Sequence, residues 1–321
     1  MVSDAGGFDD KSFNQLGKEG LDEASDALGV TPIAIESADE AAYVPNVENL
    51  VAEGCNLIVT VGFLLSEATL AGAAANPDVN FAIIDDGLDA NFDGVVDVEN
   101  GKPIVFDTAQ AAFLAGYAAA SYSKSGIVGT FGGMQIPPVT IFMDGFADGV
   151  AYYNDQKSAA VKVLGWDVAT QTGSFTGGFA AGTEALGAAQ SLIDQGADVI
   201  LPVGGPIFLS AGKAIRSSGK DITLVGVDAD VFETTPDLSD LFLTSILKGI
   251  KVGVADVVTN AAKGTFDNSP YVGTLENGGV GIAPFHDFES KVSADLASEL
   301  EAIMAGIIDG SITVESPASP K

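Results

Sequence analysis

The sequence is poor in cysteine, histidine and positive charge, and each shortage closes off a class of chemistry. Cys55 is the only cysteine in 321 residues, so no internal disulfide can form and zinc centres built from several thiolates are excluded. Set in Glu53-Gly54-Cys55-Asn56-Leu57, just ahead of a strand-like run, it reads as a small buried hydrophobe. His286 is the only histidine, which argues against a histidine-rich metal centre and against a His-dependent triad. Lys and Arg number 14 against 44 Asp and Glu, a formal net charge of -30. Such a field repels polyanions, so DNA, RNA and highly charged nucleotides are poor ligands; the same acidity also reads as a solubility feature of an exported protein. No apolar run approaches the roughly 18 residues needed to cross a bilayer. Catalytic signatures are missing too: there is no Gly-x-Ser-x-Gly elbow, no Walker A pattern and no intact Gly-x-Gly-x-x-Gly fingerprint. Asp9-Asp10 alone does not supply the aspartate-rich calcium site of a nucleoside hydrolase. No enzyme chemistry and no cofactor or metal is expected.

What the chain does have is apolar residues, 47% of the total, rich in Ala, Gly and Val. The length exceeds what one hydrophobic core usually supports, so two lobes of about 150 residues are expected. Leu57-Ile58-Val59-Thr60-Val61, Phe81-Ala82-Ile83-Ile84 and Pro103-Ile104-Val105-Phe106 are short and almost wholly apolar, as suits parallel strands covered on both faces. Helical spacing follows from Thr108 to Ser123. Further strands are expected at Gly126 to Phe131, Val161 to Leu164, Val199 to Val203, Thr223 to Val227 and Phe242 to Ser245. This alternation is the pattern of βαβ units, and the strand count fits two doubly wound sheets. Ligands bind such sheets beyond the carboxyl ends of the strands, which directs attention to Asp4 to Asn14, Asp107, Phe131 to Pro138, Phe175, Gly204-Gly205, Asp228 and Lys248. The opening Met1-Val2-Ser3-Asp4 reads as the tail of a first strand whose leader has been removed. The tail from Glu315 to Lys321 is expected to fray.

Gly6-Gly7-Phe8-Asp9-Asp10-Lys11-Ser12-Phe13-Asn14 closely resembles the signature of the basic membrane protein family, purine-nucleoside-binding lipoproteins that feed ABC transporters. The likeness continues at Phe106-Asp107-Thr108-Ala109-Gln110, Gly132-Gly133-Met134, Pro137-Pro138-Val139, Gly173-Ser174-Phe175-Thr176, Thr244-Ser245-Ile246-Leu247-Lys248 and Gly278-Gly279-Val280-Gly281, covering nearly the whole chain in order. It implies a type I periplasmic-binding-protein fold: an α/β protein of two Rossmann-like lobes joined by three crossovers, near Ser125, Lys248 and Pro284. Lobe 1 would then hold residues 1–124 and 249–284, and lobe 2 residues 125–248 and 285–321, with a C-terminal helix from Val292 to Ile308 on the second lobe.

A nucleoside offers a flat ring system and vicinal hydroxyls, so its site needs aromatic faces and charged acceptors. In the resemblance Phe8 and Phe175 are the base-sandwiching aromatics, unless they only plug the floor of the cleft; Phe131 and Phe179 read as core. Asp107 and Asp228 end strands and can accept bonds from sugar hydroxyls, and Asp107 alternatively caps the helix that follows it. Lys248 reaches the ligand or braces the carboxylates, with a solvated surface lysine as the plain alternative. Asn14 can read a base edge or cap a helix, Asp10 can assist it or merely be solvated, and Gly204 and Gly205 allow close backbone approach to a ligand. Asp89-Ala90-Asn91-Phe92-Asp93-Gly94-Val95-Val96-Asp97 is spaced like a calcium loop, but its twelfth position is Asn100 and an acidic surface turn is the preferred reading.

The expectation is therefore a monomeric, extracytoplasmic, lipid-anchored binding protein. It captures a neutral nucleoside, preferably a purine, between two lobes and delivers it to an ABC permease. A pentose-binding protein, or a sensing or adhesion lipoprotein, remains open.

Overall fold

The computed structural model describes residues 1–91 and 93–320. The chain begins with β1 (Val2–Ser3), α1 (Phe13–Leu28), α2 (Tyr43–Ala52), β2 (Leu57–Val61), α3 (Ser66–Ala75), β3 (Asn80–Ile84) and β4 (Gly101–Phe106). Next come α4 (Thr108–Tyr122), β5 (Ile127–Gly132), α5 (Pro137–Lys157), β6 (Lys162–Leu164) and the small hairpin of β7 (Trp166–Asp167) and β8 (Thr172–Gly173). Then follow α6 (Thr183–Asp194), β9 (Val199–Val203), α7 (Ile207–Ser218), β10 (Thr223–Asp228), α8 (Val231–Thr234) and β11 (Phe242–Lys248). The last elements are α9 (Ile250–Ala262), β12 (Tyr271–Gly273), β13 (Val280–Ile282) and α10 (Leu296–Ile308).

These elements form two compact units. The first comprises Met1–Phe106 and Gly249–Gly273 with Pro320; the second comprises Asp107–Lys248 and Thr274–Ser319. The first and last breaks differ from the expected positions near Ser125 and Pro284. α4 is buried around most of its circumference and packs backbone to backbone on α5: a Cβ on Gly116 would lie 2.0 Å from the carbonyl oxygen of Phe146, and one on Gly149 equally close to that of Phe113. Glycines at the contact let the two helices approach, and that contact ties α4 to the second unit. β13 follows suit, because it pairs antiparallel with β11, Ile246 opposite Ile282.

In the first unit the sheet order is β1-β2-β3-β4-β12, with every pair parallel. On the free side of β1 the chain adds a parallel bridge from Val2 to Ile35. The chain thus leaves β1 for one side, at Ile35, and returns on the other as β2, so the strand order reverses at β1. The second unit repeats this plan. Its order is β13-β11-β10-β9-β5-β6, parallel except for β13, and its reversal falls at β5 between β6 and β9. Open α/β sheets hold ligands beyond the carboxyl ends of the strands at such a reversal. The loops after β1 and β5 are therefore the places to look.

The sheets are apolar because both faces are covered. Around Val2, Ile58, Phe81 and Ile83 the helices α2 and α3 close one side of the first sheet with Val47, Leu50 and Ala73. In the second, Ile200 and Leu224 pack under Leu192, Ile193, Phe208 and Ile215. Phe131 is fully buried there, as expected of a core residue, while Cys55 is only half-buried at the rim of the first core. α10 lies on α4, with Tyr117 donating its hydroxyl hydrogen to Glu299 at 2.9 Å.

Candidate functional site

At the end of β1, Asp4 is buried and accepts from the Gly6 N–H at 3.0 Å and from Asn14 Nδ2 at 2.8 Å. Asp10 is buried as well, so the solvated reading is wrong. Its Oδ1 accepts from the amides of Ser12 (3.0 Å) and Gln15 (3.1 Å), and its Oδ2 from the amide (2.8 Å) and Nδ2 (3.1 Å) of Asn14. Asp10 therefore satisfies the open amides at the start of α1, which is the capping role that Asn14 was a candidate for. Burial pushes both Asp4 and Asp10 above the ordinary carboxylate range, and the donors on them pull partly back.

Asn14 sits inside α1 with 2% of its surface exposed. Its amide orientation is fixed, since a flip would turn its oxygen onto two carboxylates. The remaining atom, Oδ1, is buried and has no hydrogen-bond partner among the described residues. Phe8 is half-buried in the same loop, and its N–H donates to Glu36 Oε1 at 2.8 Å.

In the second unit, Asp228 ends β10 with φ 67° and Lys248 ends β11, three residues beyond the strand end expected at Ser245. Lys248 Nζ lies 3.7 Å from Asp228 Oδ1 and 5.3 Å from the centre of the Phe142 ring. It is a buried cation that braces a carboxylate; the surface-lysine alternative is excluded. Asp107 precedes α4 without capping it: its side chain makes no bond to the helix amides and instead accepts from Gln110 Nε2 at 2.8 Å and from Ser319 Oγ at 2.9 Å.

Phe175 is half-buried at the reversal point of the second sheet, where it forms a bridge with Gly132. Its ring meets the edge of Trp166 at 5.9 Å and 88°. Phe179, expected in the core, is instead half-buried over the ends of β5 and β9, where a Cβ on Gly133 or Gly204 would come within 2.4 or 2.6 Å of its ring. Gly204 (φ 138°) and Gly205 (φ 46°) make a left-handed turn, and the Phe179 ring takes the space over Gly204 that the sequence reading had left for a ligand.

Two further aspartates stand out, to which the sequence assigns no role: Asp4, within the stretch from Asp4 to Asn14, and Asp144. Asp4 carried the same signal as Asp228, a carboxylate at a strand end. Asp144, buried in α5, accepts from Trp166 Nε1 and Gln171 Nε2, both at 2.8 Å, and from Ser316 Oγ at 2.6 Å. With Ser316 and Ser319 both bonded to aspartates, the tail is pinned and not frayed. The calcium-like loop folds on itself. Asp89 accepts from the amides of Asp93 (3.1 Å) and Gly94 (2.7 Å), Asp93 from that of Val95 (2.9 Å), and Asp97 from that of Ala90 (2.8 Å). Asn100 serves the carbonyls of Ala73, Asn76 and Val79 at 3.1, 3.0 and 2.8 Å. Phe92 lies outside the described residues, and among those described no group of three metal-ligating side chains is placed to hold an ion.

Two doubly wound α/β units, each with polar and aromatic residues gathered at the carboxyl ends of its strands, give the chain the type I periplasmic-binding-protein fold. A solute-binding protein of an ABC transporter from Aeropyrum pernix K1 matches with a TM-score of 0.86 at 24% identity, over 98% of this chain and 92% of that one. The arabinose-binding protein AraP from Geobacillus stearothermophilus matches with a TM-score of 0.62 at 13% identity, over 92% and 98%. Both likenesses speak to fold. The model of the Bmp family, ABC transporter substrate-binding proteins of the PnrA-like type, matches residues 1–315, and the chain belongs to that family. Among its relatives is the ABC transporter nucleoside-binding protein BmpA of Lactococcus lactis subsp. cremoris (strain MG1363), 27% identical over 335 residues, which cover 98% of this chain and 88% of that protein. No helix among the described residues is long and apolar enough to cross a membrane.

Proposed function

We propose that this substrate-binding protein captures a neutral nucleoside, a purine in preference, and hands it to an ABC permease at the outer face of the cell membrane. The observation that carries the reading is the orphaned Asn14 Oδ1. A buried acceptor without a donor costs about 1–3 kcal/mol, and a ligand N–H or O–H in the loop after β1 would recover that. Asp228, held by Lys248, supplies a charge-assisted acceptor for a sugar hydroxyl, and Asp107 a second. Phe8 and Phe175 offer faces for the base. Carboxylates at both positions disfavour a 5′-phosphate, which is why the neutral nucleoside is preferred over its nucleotide. The relative named as a nucleoside-binding protein supports the same ligand class. On this reading the chain is a monomer without catalytic activity, cofactor or metal, held outside the cytoplasm by a lipid anchor.

Calorimetric titration with inosine, hypoxanthine, ribose and inosine monophosphate tests the ligand, and native mass spectrometry of the purified protein identifies any solute it retains. Inosine should bind tightest. Ribose binding as tightly as inosine would sink the nucleoside claim and leave a pentose-binding protein. Loss of labelled inosine uptake in cells lacking the chain separates transport from sensing or adhesion.

A further inference from the structure

The tail after Thr313 has no regular secondary structure, and the family match stops at residue 315. Two hydroxyls beyond that point are nevertheless spent on aspartates. Ser316 Oγ is the donor to Asp144 Oδ2, while Trp166 Nε1 and Gln171 Nε2 both serve Asp144 Oδ1. Ser319 Oγ donates to Asp107 Oδ1, leaving Gln110 on Oδ2. We propose that Ser316 and Ser319 are positioning residues for ligand capture: Ser316 orients Phe175 through Asp144 and Trp166, and Ser319 orients the Asp107 carboxylate.

The physical argument runs along the chain of contacts. Asp144 is fully buried and has no ion pair among the described residues, so hydrogen bonds alone keep its carboxylate in place. With Ser316 gone, Oδ2 loses its donor and the carboxylate is held only at Oδ1, by Trp166 and Gln171, so it can swing about that oxygen and the bond to the indole loosens. Trp166, itself buried, is the edge against which the Phe175 ring rests. On the other branch, Asp107 has two oxygens and two side-chain donors, one on each. A hydroxyl on Oδ1 still leaves a lone pair there for a ligand, and it fixes the plane in which that lone pair points.

This inference rests on the nucleoside reading for its ligand, and the experiment separates the two. S316A and S319A, with S316T and S319T as rescues, are titrated with inosine and hypoxanthine, and the emission of Trp166, the sole tryptophan of the 321 residues, is recorded without ligand. S319A should weaken inosine about tenfold, the worth of one charge-assisted contact, and leave hypoxanthine unchanged. S316A should shift the Trp166 emission and weaken both ligands alike, and each threonine should restore its site. Lower melting temperatures with unchanged affinities and unchanged emission would overturn the proposal and leave the tail as a staple. If the parent chain binds neither ligand, the nucleoside reading alone falls. The brace is then judged by the Trp166 emission of S316A, an unchanged spectrum counting against it.

Discussion

Lys248 Nζ stands 3.7 Å from Asp228 Oδ1 on the neighbouring strand, and the two side chains are only 2% and 5% exposed. An ion pair this deep is costly to break from one side, because the remaining charge loses its counter-charge in a buried place. K248M should therefore cost about 3–5 kcal/mol of stability, read as a fall in the urea midpoint, and should abolish capture. D228N is the gentler probe, since asparagine tolerates the left-handed backbone that Asp228 adopts at φ 67°. It should fold and lose at least about tenfold in affinity for ribosides relative to free bases, the worth of a charge-assisted bond to a hydroxyl. Equal losses for inosine and hypoxanthine would contradict a sugar contact.

The strand runs, the doubly wound plan and Asp228 with Lys248 were legible because each depends on a local signal: an apolar run covered on both faces, or a polar residue at its carboxyl end. The breaks between units were not. α4 is apolar on nearly all sides, so nothing in its own pattern tells which neighbour it will choose; the glycines of α5 decide that. Asp144 lies between Met143 and Gly145 in an ordinary helical stretch, and its partners are 22, 27 and 172 residues away. No spacing rule reaches that far. Phe179 follows two glycines much as Phe175 does not, yet both rings end beside the same sheet reversal, a proximity made by β5 and β9 and not by the sequence around either ring.

Trp166 gives a direct optical reading of Phe175, whose ring lies 5.9 Å from it. F175A should weaken inosine about tenfold, since stacking contributes about 0.5–1.5 kcal/mol beyond the area buried. It should also remove most of the change in tryptophan emission on binding. The protein should stay folded, because Phe175 is only half-buried. Unchanged affinity would remove this ring from the ligand.

Asp148 makes stability depend on pH. Burial, the charge of Asp144 and that of Glu315 push its carboxyl up to about 6. An unfolded aspartate titrates near about 4, so between about pH 4 and pH 6 the native state keeps a proton that the unfolded chain has released. Its contribution is fully present below that window and is lost as pH rises through it, leaving a half-buried carboxylate near Asp144 at neutral pH. D148N should stabilise the protein at pH 7 by about 1 kcal/mol, once water around the half-exposed group is allowed for. It should also flatten this part of the profile in thermal melts from pH 4 to 7. A variant no more stable than the parent at pH 7 would show that solvent already screens the charge.

Gly149 and Gly187 both lie inside helices, and the same substitution should act on them in opposite directions. Alanine is the better helix former by about 1 kcal/mol, and at Gly187 in α6 nothing stands within 4 Å of the added carbon. G187A should therefore stabilise. At Gly149 the added carbon would fall 2.0 Å from the Phe113 carbonyl oxygen, which is backbone and has no rotamer to yield. α5 must then move off α4, and overpacking of this kind costs about 1–3 kcal/mol, which outweighs the gain in propensity. Urea midpoints should rise for G187A and fall for G149A. A rise for both would mean that the two helices do not touch backbone to backbone, and the reason for assigning α4 to the second unit would go with it.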